Sequence, residues 1–336
     1  MEENDIVAWD LFVEGCSGAT FFHRAGWKEV IEKSFGHNMF YLMAERNSKI
    51  VGVLPLGRIK SVFFGNALIS TPFCVYGGVA ATDEVAKMAL EQAAANLADD
   101  LAVDYLEVRN TLPSNSSWPV KDMYVSFCKP IAESVDENML AIPRKQRAMV
   151  RKAIKQELAS ESSEDIDEFH RIYSESVRNL GTPVFDKRYF KALKSVFQNA
   201  CDILTVRRAD GKAVAAVMSF YFRDQVLPYY GGGTSLAREL SANDFMYWEL
   251  MKRSCEAGIR VFDYGRSKLG SGSYSFKKNW GFEPKSLNYQ YHLVKAKNIP
   301  NVSPINPKYR LMVNAWRRLT IGMANVLGPM ISSKLG

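Results

Sequence analysis

Hydrophobic runs separated by turn residues predict an α/β unit in the amino-terminal half of the chain. Two of the runs flank Asn47-Ser48, a pair typical of a tight turn between strands. An Ala- and Leu-rich segment begins after Thr82-Asp83, where Asp83 is a favourable helix cap. The pattern predicts, in chain order, strands at 40–44, 50–56 and 75–78, a helix at 82–101 and a strand at 104–109.

The second half repeats this order of elements. Ala209-Asp210-Gly211 predicts a hairpin turn, and a helix capped near Ser241 or Asn243 follows the glycine run at 231–233. The predicted elements are strands at 202–207, 213–222 and 226–230, a helix ending near Ala257 and a strand at 261–266.

Both halves contain Tyr-Gly-Gly, then a helix, then a strand that ends in Arg. Gly77 thus corresponds to Gly231, and Arg109 to Arg266. A repeat of about half the chain indicates duplication of one α/β domain. In 336 residues two cores can form without disulfides. We therefore predict two α/β domains with mixed sheets, at 1–140 and 141–298, and a separate tail at 299–336.

A cationic helix is predicted between the halves, at 142–155. At 3.6 residues per turn its basic side chains share one face, and Met149, Val150 and Ala153 point the other way. Bidentate Arg suits phosphate, so the face is a candidate anion site, although a solvated helix face explains the pattern equally well. The aligned cations are Arg144, Arg147, Arg151 and Lys155, with Lys152 beside them.

The charge balance points to an anionic partner, either acidic lipid headgroups or nucleic acid, although a solvated basic surface is the more common explanation of such a charge run. The net charge is +7, and no Asp or Glu follows Glu283. In the tail, apolar residues from Tyr309 to Met323 recur at helical spacing beside Arg310, Arg317 and Arg318. We therefore expect 307–336 to contact an anionic membrane surface peripherally, or else to pack on the second domain as an ordinary helix.

Other features limit the compartment and the chemistry. The chain has five cysteines without CxxC spacing and an acidic start, which together favour a reduced, cytoplasmic protein. The uncharged stretch at 61–82 contains turn residues, and these disfavour a membrane helix. The chain has no metal-ligand cluster and no Walker loop. The segment 266–272 is similar to the pyrophosphate loop of acetyl-CoA-dependent enzymes. However, Ser267 stands where a basic residue is needed, and no helix is predicted after the segment, which disfavours coenzyme A.

The second half contains four notable motifs: Tyr230-Gly231-Gly232-Gly233, Tyr247-Trp248-Glu249, the strand 261–266 and Ser275-Phe276-Lys277-Lys278-Asn279-Trp280-Gly281-Phe282. These motifs resemble those of the FemAB family of aminoacyl and peptidyl transferases. The resemblance extends over about 5–295, and the whole chain is most similar to FemAB-like proteins found with bacterial PEP-CTERM/exosortase and exopolysaccharide systems. The chain departs from the family in lacking a helical arm and in having Ile31 where members often carry a phosphate-contacting Lys.

The resemblance implies tandem domains of the acyl-CoA N-acyltransferase (GNAT) type, and transfer from aminoacyl-tRNA to an amine of an envelope precursor without metal or coenzyme A. It also implies that Lys277 stabilises the oxyanion of the tetrahedral intermediate. From the residues alone, Lys277 is expected on a strand, facing the same way as Asn279. The predicted substrate-binding residues are Arg144, Arg147, Arg151, Lys152, Tyr230, Gly231, Gly232, Asp263, Arg266, Phe276 and Trp280.

Three functions remain open from the sequence. The first is an aminoacyl or acyl transferase acting on a cell-envelope or exopolysaccharide precursor. The second is a non-catalytic scaffold that binds envelope polysaccharide, and the third is an acetyl-CoA-dependent N-acetyltransferase. The Phe276-Lys277 motif argues against the scaffold, and the altered loop at 266–272 argues against the third function.

Overall fold

The computed structural model describes residues 5–62, 64–113, 117–300 and 307–336. The chain forms two compact units. The first comprises Met1–Tyr124, Ser286–Asn306 and Ile331–Gly336, and the second Val125–Lys285 and Pro307–Met330. The domain limits inferred from the sequence stay a prediction.

The first unit is built on a mixed sheet with the order β1-β2-β3-β5-β13, in which β4 also pairs with β2. Strands β3 and β5 are parallel, whereas β1/β2, β2/β3 and β5/β13 are antiparallel. The strands are β1 (Asn38–Arg46), β2 (Lys49–Ser61), β3 (Gly65–Ser70), β4 (Ala80–Ala81), β5 (Tyr105–Asn110) and β13 (Asn288–Leu293). The helices are α1 (Ile6–Gly15), α2 (Gly26–Phe35) and α3 (Glu84–Asp100).

The predicted cap of the long helix is confirmed, because the Asp83 carboxylate accepts a hydrogen bond from the Ala86 amide before α3. The predicted strand at 75–78 is wrong. The chain is irregular there, and Gly77 has a φ of +114°, where a Cβ would lie 2.3 Å from Thr71 Oγ1. A residue with positive φ and no room for a side chain interrupts an extended strand.

The second unit is built on a sheet with the order β12-β6-β11-β10-β9-β8-β7. The β8-β9-β10 meander is antiparallel, and β10 pairs with β11 in parallel through Gln225 with Val261 and Val226 with Phe262. The strands are β6 (Tyr124–Pro130), β7 (Ala159–Ser163), β8 (Cys201–Arg207), β9 (Ala213–Phe222), β10 (Gln225–Gly233), β11 (Val261–Lys268) and β12 (Pro284–Ser286). The helices are α4 (Val135–Ala141), α5 (Arg144–Lys155), α6 (Ile166–Leu180), α7 (Lys187–Phe197), α8 (Ala242–Glu256) and α9 (Gly272–Asn279).

The cationic segment is helical as predicted and forms α5, with Pro143 at its N-cap position. Val150 and Ala153 are fully buried in the apolar core of the second unit, and this burial orients the helix. Its basic residues therefore lie on the other side, towards solvent.

The tail forms two helices, α10 (Pro307–Trp316) and α11 (Ile321–Ser332), so the single continuous apolar face predicted across Trp316 and Met323 is wrong. The Thr320 hydroxyl accepts a hydrogen bond from the Met323 amide, which favours a new helix start. Residues 301–306 and the side chains of 307–310, including Tyr309, lie outside the described part of the tail. In the described chain, no helix is both long and apolar enough to cross a membrane.

Candidate functional site

Lys277 lies on a helix, so its prediction as a strand residue is wrong. Ser271 is the N-cap of α9, and its hydroxyl accepts a hydrogen bond from the Tyr274 amide at 3.2 Å. Two residues along a helix correspond to a rotation of about 200°, so Lys277 and Asn279 do not share a face in the way strand alternation implies. The helix turns the half-buried Lys277 towards β11 and leaves Lys278 and Asn279 exposed.

The Lys277 ammonium group is held by two consecutive backbone carbonyls of β11. Its Nζ lies 3.2 Å from Gly265 O and 2.9 Å from Arg266 O. Successive carbonyls of a regular strand point in opposite directions, and the φ of +65° at Gly265 is what turns both towards one atom. The buried Asp263 carboxylate accepts a hydrogen bond from the Gly265 amide at 2.7 Å and stabilises this backbone geometry.

The electrostatic setting of Lys277 differs from that of a surface lysine. Burial lowers its pKa to about 7, while the charge of Asp263 opposes this change and that of Arg266 adds to it. The Phe127 ring centroid lies 5.7 Å from Nζ. A protonated lysine has three N–H donors, and the two carbonyls use two of them. One donor therefore remains to hydrogen-bond a substrate oxygen.

Aromatic side chains line the region next to Lys277. The Phe276 ring lies 5.6 Å from Tyr247 and 6.2 Å from Trp280, and Tyr264 packs 5.0 Å from Tyr247. Burial raises the pKa of Tyr264 well above its ordinary value. Its hydroxyl and that of Ser267 are buried without a hydrogen-bond partner among the described residues. Unsatisfied buried hydroxyls are rare, so these two are candidate contacts for a bound polar group.

Asp244 of α8 connects this region to the cationic helix. Its Oδ1 accepts hydrogen bonds from Trp280 Nε1 at 3.0 Å and from Gln146 Nε2 of α5. Burial raises the pKa of Asp244, and the two hydrogen bonds oppose that change. Sequence reasoning did not assign Gln146, Asp244, Tyr247 and Tyr264 to the site. Tyr247 and Tyr264 belong to motifs of the family resemblance, whereas no motif marks Gln146 or Asp244, and only the packing of α5 and α8 brings those two together.

The basic face of α5 lines an open groove of about 620 Å³. Lys152 Nζ donates to Glu239 O at 2.9 Å, and Arg147 donates to Leu140 O at 3.3 Å. No carboxylate of the described residues forms an ion pair with any of the groove's cations. The basic residues that line the groove are Arg144, Arg147, Arg151, Lys152 and Lys155.

The predicted contacts on β10 are placed differently. Tyr230 is buried, and its hydroxyl lies 2.7 Å from that of Tyr189 within a cluster of aromatic rings. Gly231 adjoins the aromatic residues near Lys277, since a Cβ there would lie 2.7 Å from Tyr247 Oη. A Cβ on Gly232 would lie 2.5 Å from Ser176 Cβ. Asp263, Arg266, Phe276 and Trp280 thus surround Lys277, whereas Tyr230 and Gly232 make packing contacts.

The segment 266–272 differs from its prediction in one respect. It leads directly into α9, so the expectation that no helix follows it is wrong, although Ser267 still occupies the place of the basic residue. As for metals, the described residues contain no group of three or more His, Cys, Asp or Glu side chains that could hold an ion.

Comparison with known proteins shows which folds this chain is similar to. The model of an acetyltransferase (GNAT) domain matches residues 144–278. The structure of FemX is similar at 15% identity and a TM-score of 0.68, over 92% of this chain and 98% of that chain. The C-terminal domain of a putative lysylphosphatidylglycerol synthetase from Agrobacterium fabrum is similar at 14% identity and a TM-score of 0.60, over 88% and 92% of the two chains. A tandem GNAT protein of the clavulanic acid biosynthesis pathway is similar at 13% identity and a TM-score of 0.51, over 88% and 97%. Among curated proteins, none matches the sequence.

The predicted fold class is confirmed, since two mixed sheets, a GNAT domain match and tandem GNAT neighbours agree. The chain is an acyltransferase, as predicted, and the acetyltransferase (GNAT) match lies within its second unit. Its resemblance to the FemAB family is supported at the level of the fold by the similarity to FemX.

Proposed function

We propose that this chain transfers an aminoacyl or acyl group to an amine on an anionic cell-envelope or exopolysaccharide precursor, with Lys277 as the catalytic residue. The observation that carries the proposal is the setting of Lys277 Nζ, which two carbonyls hold in place with one N–H donor remaining. A fixed donor in a partly apolar site stabilises developing negative charge better than a mobile surface lysine does.

The chemistry follows from that geometry. The acceptor amine attacks the carbonyl carbon of the donor ester, and the carbonyl electron pair moves onto oxygen as a tetrahedral intermediate forms. Lys277 donates its remaining N–H to this oxyanion. Collapse re-forms the carbonyl and breaks the ester bond, and the proton lost by the amine passes through solvent to the departing alkoxide. The products are an amide and an alcohol, and the chain supplies electrostatic stabilisation.

The groove on α5 would bind the anionic part of a substrate. Its guanidinium groups suit the bidentate binding of phosphate. Among the described residues, no carboxylate lines the groove, so these groups can bind an anionic substrate. The name of one structural neighbour, lysylphosphatidylglycerol synthetase, denotes a product made from an amino acid and an anionic lipid. This name and the fold similarity to FemX support aminoacyl-tRNA as the donor and an envelope precursor as the acceptor.

We assign the chain, in the same proposal, to the FemAB-like proteins of PEP-CTERM/exosortase and exopolysaccharide systems, acting at the cytoplasmic side of the membrane without metal or coenzyme A. The order of motifs from Tyr230 to Phe282 supports this assignment.

An acetyl-CoA-dependent activity is the second candidate. The acetyltransferase description of the matching family model favours it, and so does the start of α9 directly after 266–272. The altered basic position at Ser267 argues against it.

The deciding experiment supplies purified protein with a mixture of aminoacyl-tRNAs or with acetyl-CoA, each with amine-bearing envelope precursors, and detects products by mass spectrometry. Aminoacyl products made by wild type and lost in Lys277→Ala support the proposal. Acetyl products alone establish the second candidate. Aminoacyl transfer that survives unchanged in Lys277→Ala removes the assigned catalytic role.

A further inference from the structure

Helix α11 buries small residues on one side and exposes four large apolar residues on the other. Ala324 and Gly328 are buried, and a Cβ on Gly328 would lie 2.9 Å from Val184 O, so this side of the helix approaches the second unit closely. A helix that stabilises a core normally buries its large apolar side chains instead. The outward apolar face, at positions i, i+3, i+4 and i+7, consists of Met323 (51% exposed), Val326 (70%), Leu327 (40%) and Met330 (69%).

Contacts on the inner side show that α10 and α11 belong to the fold. Val313 of α10 packs against Gly181. A Cβ on Gly181 would lie 2.5 Å from the Val313 side chain. Arg317 donates to Leu180 O at 3.3 Å, and Arg178 donates to Arg317 O at the same distance. The outward apolar residues are therefore held at the surface by a packed inner face.

Positive charge lies at both ends of α11. Arg318 is exposed in the turn before the helix, next to Arg317, whose guanidinium group also contacts Leu180 O, and Lys334 follows the helix. The sequence contains no Asp or Glu after Glu283. The acidic side chains that share a surface depression with Asn325 and Pro329 of α11 are already paired, Asp167 with Lys187 at 3.0 Å and Asp186 with Arg188 at 3.3 Å.

We propose that the outward face of α11 inserts into the interfacial region of an anionic lipid bilayer. Large apolar residues on one side of a helix, with cations beside them, are the combination that binds such a surface. The alternative occupant is a second copy of this chain. Two copies joined through this face would bring their arginines at 317 and 318 towards one another without a nearby carboxylate on the tail, which disfavours that arrangement.

The test is sedimentation of the full chain with vesicles of equal parts phosphatidylglycerol and phosphatidylcholine, compared with phosphatidylcholine alone. The first vesicles should bind at least about tenfold more tightly, and added salt should weaken the binding. The double variant Val326→Glu/Met330→Glu should lose about tenfold or more, because it places charge in the apolar face. No aminoacyl or acyl donor is present, and this double variant and its matched control both keep the groove on α5, so a difference between them is independent of the proposed transfer activity.

A matched control exists on α3, where Val85 and Met88 are also exposed, at 69% and 62%, and lie within one helical turn of each other. Val85→Glu/Met88→Glu should bind these vesicles like wild type, and circular dichroism should show both double variants folded. Failure of wild type to bind the anionic vesicles at low salt overturns the proposal, as does an equal loss in the two variants. Concentration-dependent dimerisation that only Val326→Glu/Met330→Glu abolishes, without vesicle binding, assigns the face to a second copy.

Discussion

Trp280 Nε1 donates a 3.0 Å hydrogen bond to Asp244 Oδ1 in the core of the second unit. The same oxygen accepts from Gln146, so one carboxylate joins the residue after α9 to α8 and to the cationic helix α5. Since Trp280 follows Lys277 by less than one helical turn, this contact supports the end of α9 that carries the lysine. The helices that carry the catalytic and anion-binding parts of the proposed site are therefore connected through the Asp244 carboxylate.

We predict that Trp280→Phe lowers the free energy of unfolding by about 1–3 kcal/mol, because the half-buried Asp244 carboxylate loses one of its two donors. It should also lower kcat, since Lys277 loses its support. Chemical denaturation and a transfer assay measure the two effects. Trp9→Phe is the matched control, as that indole is equally buried and donates to His23 O at 2.6 Å. It should lower stability and leave kcat unchanged, and equal loss of kcat in both variants would contradict the anchoring role.

For the catalytic role, Lys277→Ala should reduce kcat by a hundredfold or more, about 3 kcal/mol of transition-state stabilisation, with the fold intact. Lys277→Arg should restore little activity, because a guanidinium group cannot occupy the same position against the carbonyls of Gly265 and Arg266. The adjacent, exposed Lys278→Ala is the control and should retain wild-type rates. Full activity of Lys277→Ala in steady-state assays would end the assignment.

The pH dependence of the rate should reveal the lowered pKa of Lys277. This group is charged below its pKa of about 7 and neutral above it. If the charged form stabilises the oxyanion, the ratio of wild-type to Lys277→Arg kcat/KM falls as pH rises through about 7, because Arg stays charged. Taking the ratio cancels the ionisation of the acceptor amine. A ratio that rises with pH would instead make Lys277 a base, and a constant ratio would contradict both roles.

Stability should depend on the same ionisation. The unfolded lysine keeps its proton up to about pH 10, whereas the folded one releases it near 7. Between these values the unfolded state binds more protons, so the free energy of unfolding rises with pH. Relative to Lys277→Met, wild type should therefore gain about 1 kcal/mol or more between about pH 6 and 10. Denaturant melts at several pH values measure this difference, and parallel curves for the two proteins would show that the pKa is not lowered.

We expect the cationic groove to contribute to substrate binding and not to the chemical step. Arg147→Ala/Arg151→Ala should raise KM about tenfold or more and leave kcat nearly unchanged, because the groove binds a part of the substrate distant from the reacting atoms. Arg188→Ala/Lys191→Ala on α7 removes the same charge elsewhere and should have little effect on KM. If both pairs raise KM equally, the positive charge attracts substrate without a specific site.

Much of the fold follows from local pattern. The hairpin from β8 to β9, the Asp83 cap of α3 and the helix α5 were all predictable, because periodicity, turn residues and capping act within a few positions of the chain. The duplicated order of elements indicated two sheets for the same reason.

Only the tertiary structure shows which strands β6 and β13 pair with. Strand β6 of the first half joins the second sheet, and β13, from the range predicted for the second domain, pairs with β5 in the first. Similarly, α9 is a helix where alternation predicted a strand, and Asp244 meets Gln146 across a long stretch of sequence. Strand pairing and buried hydrogen bonds depend on residues that are distant in the chain, and a local pattern carries no information about which of them will meet.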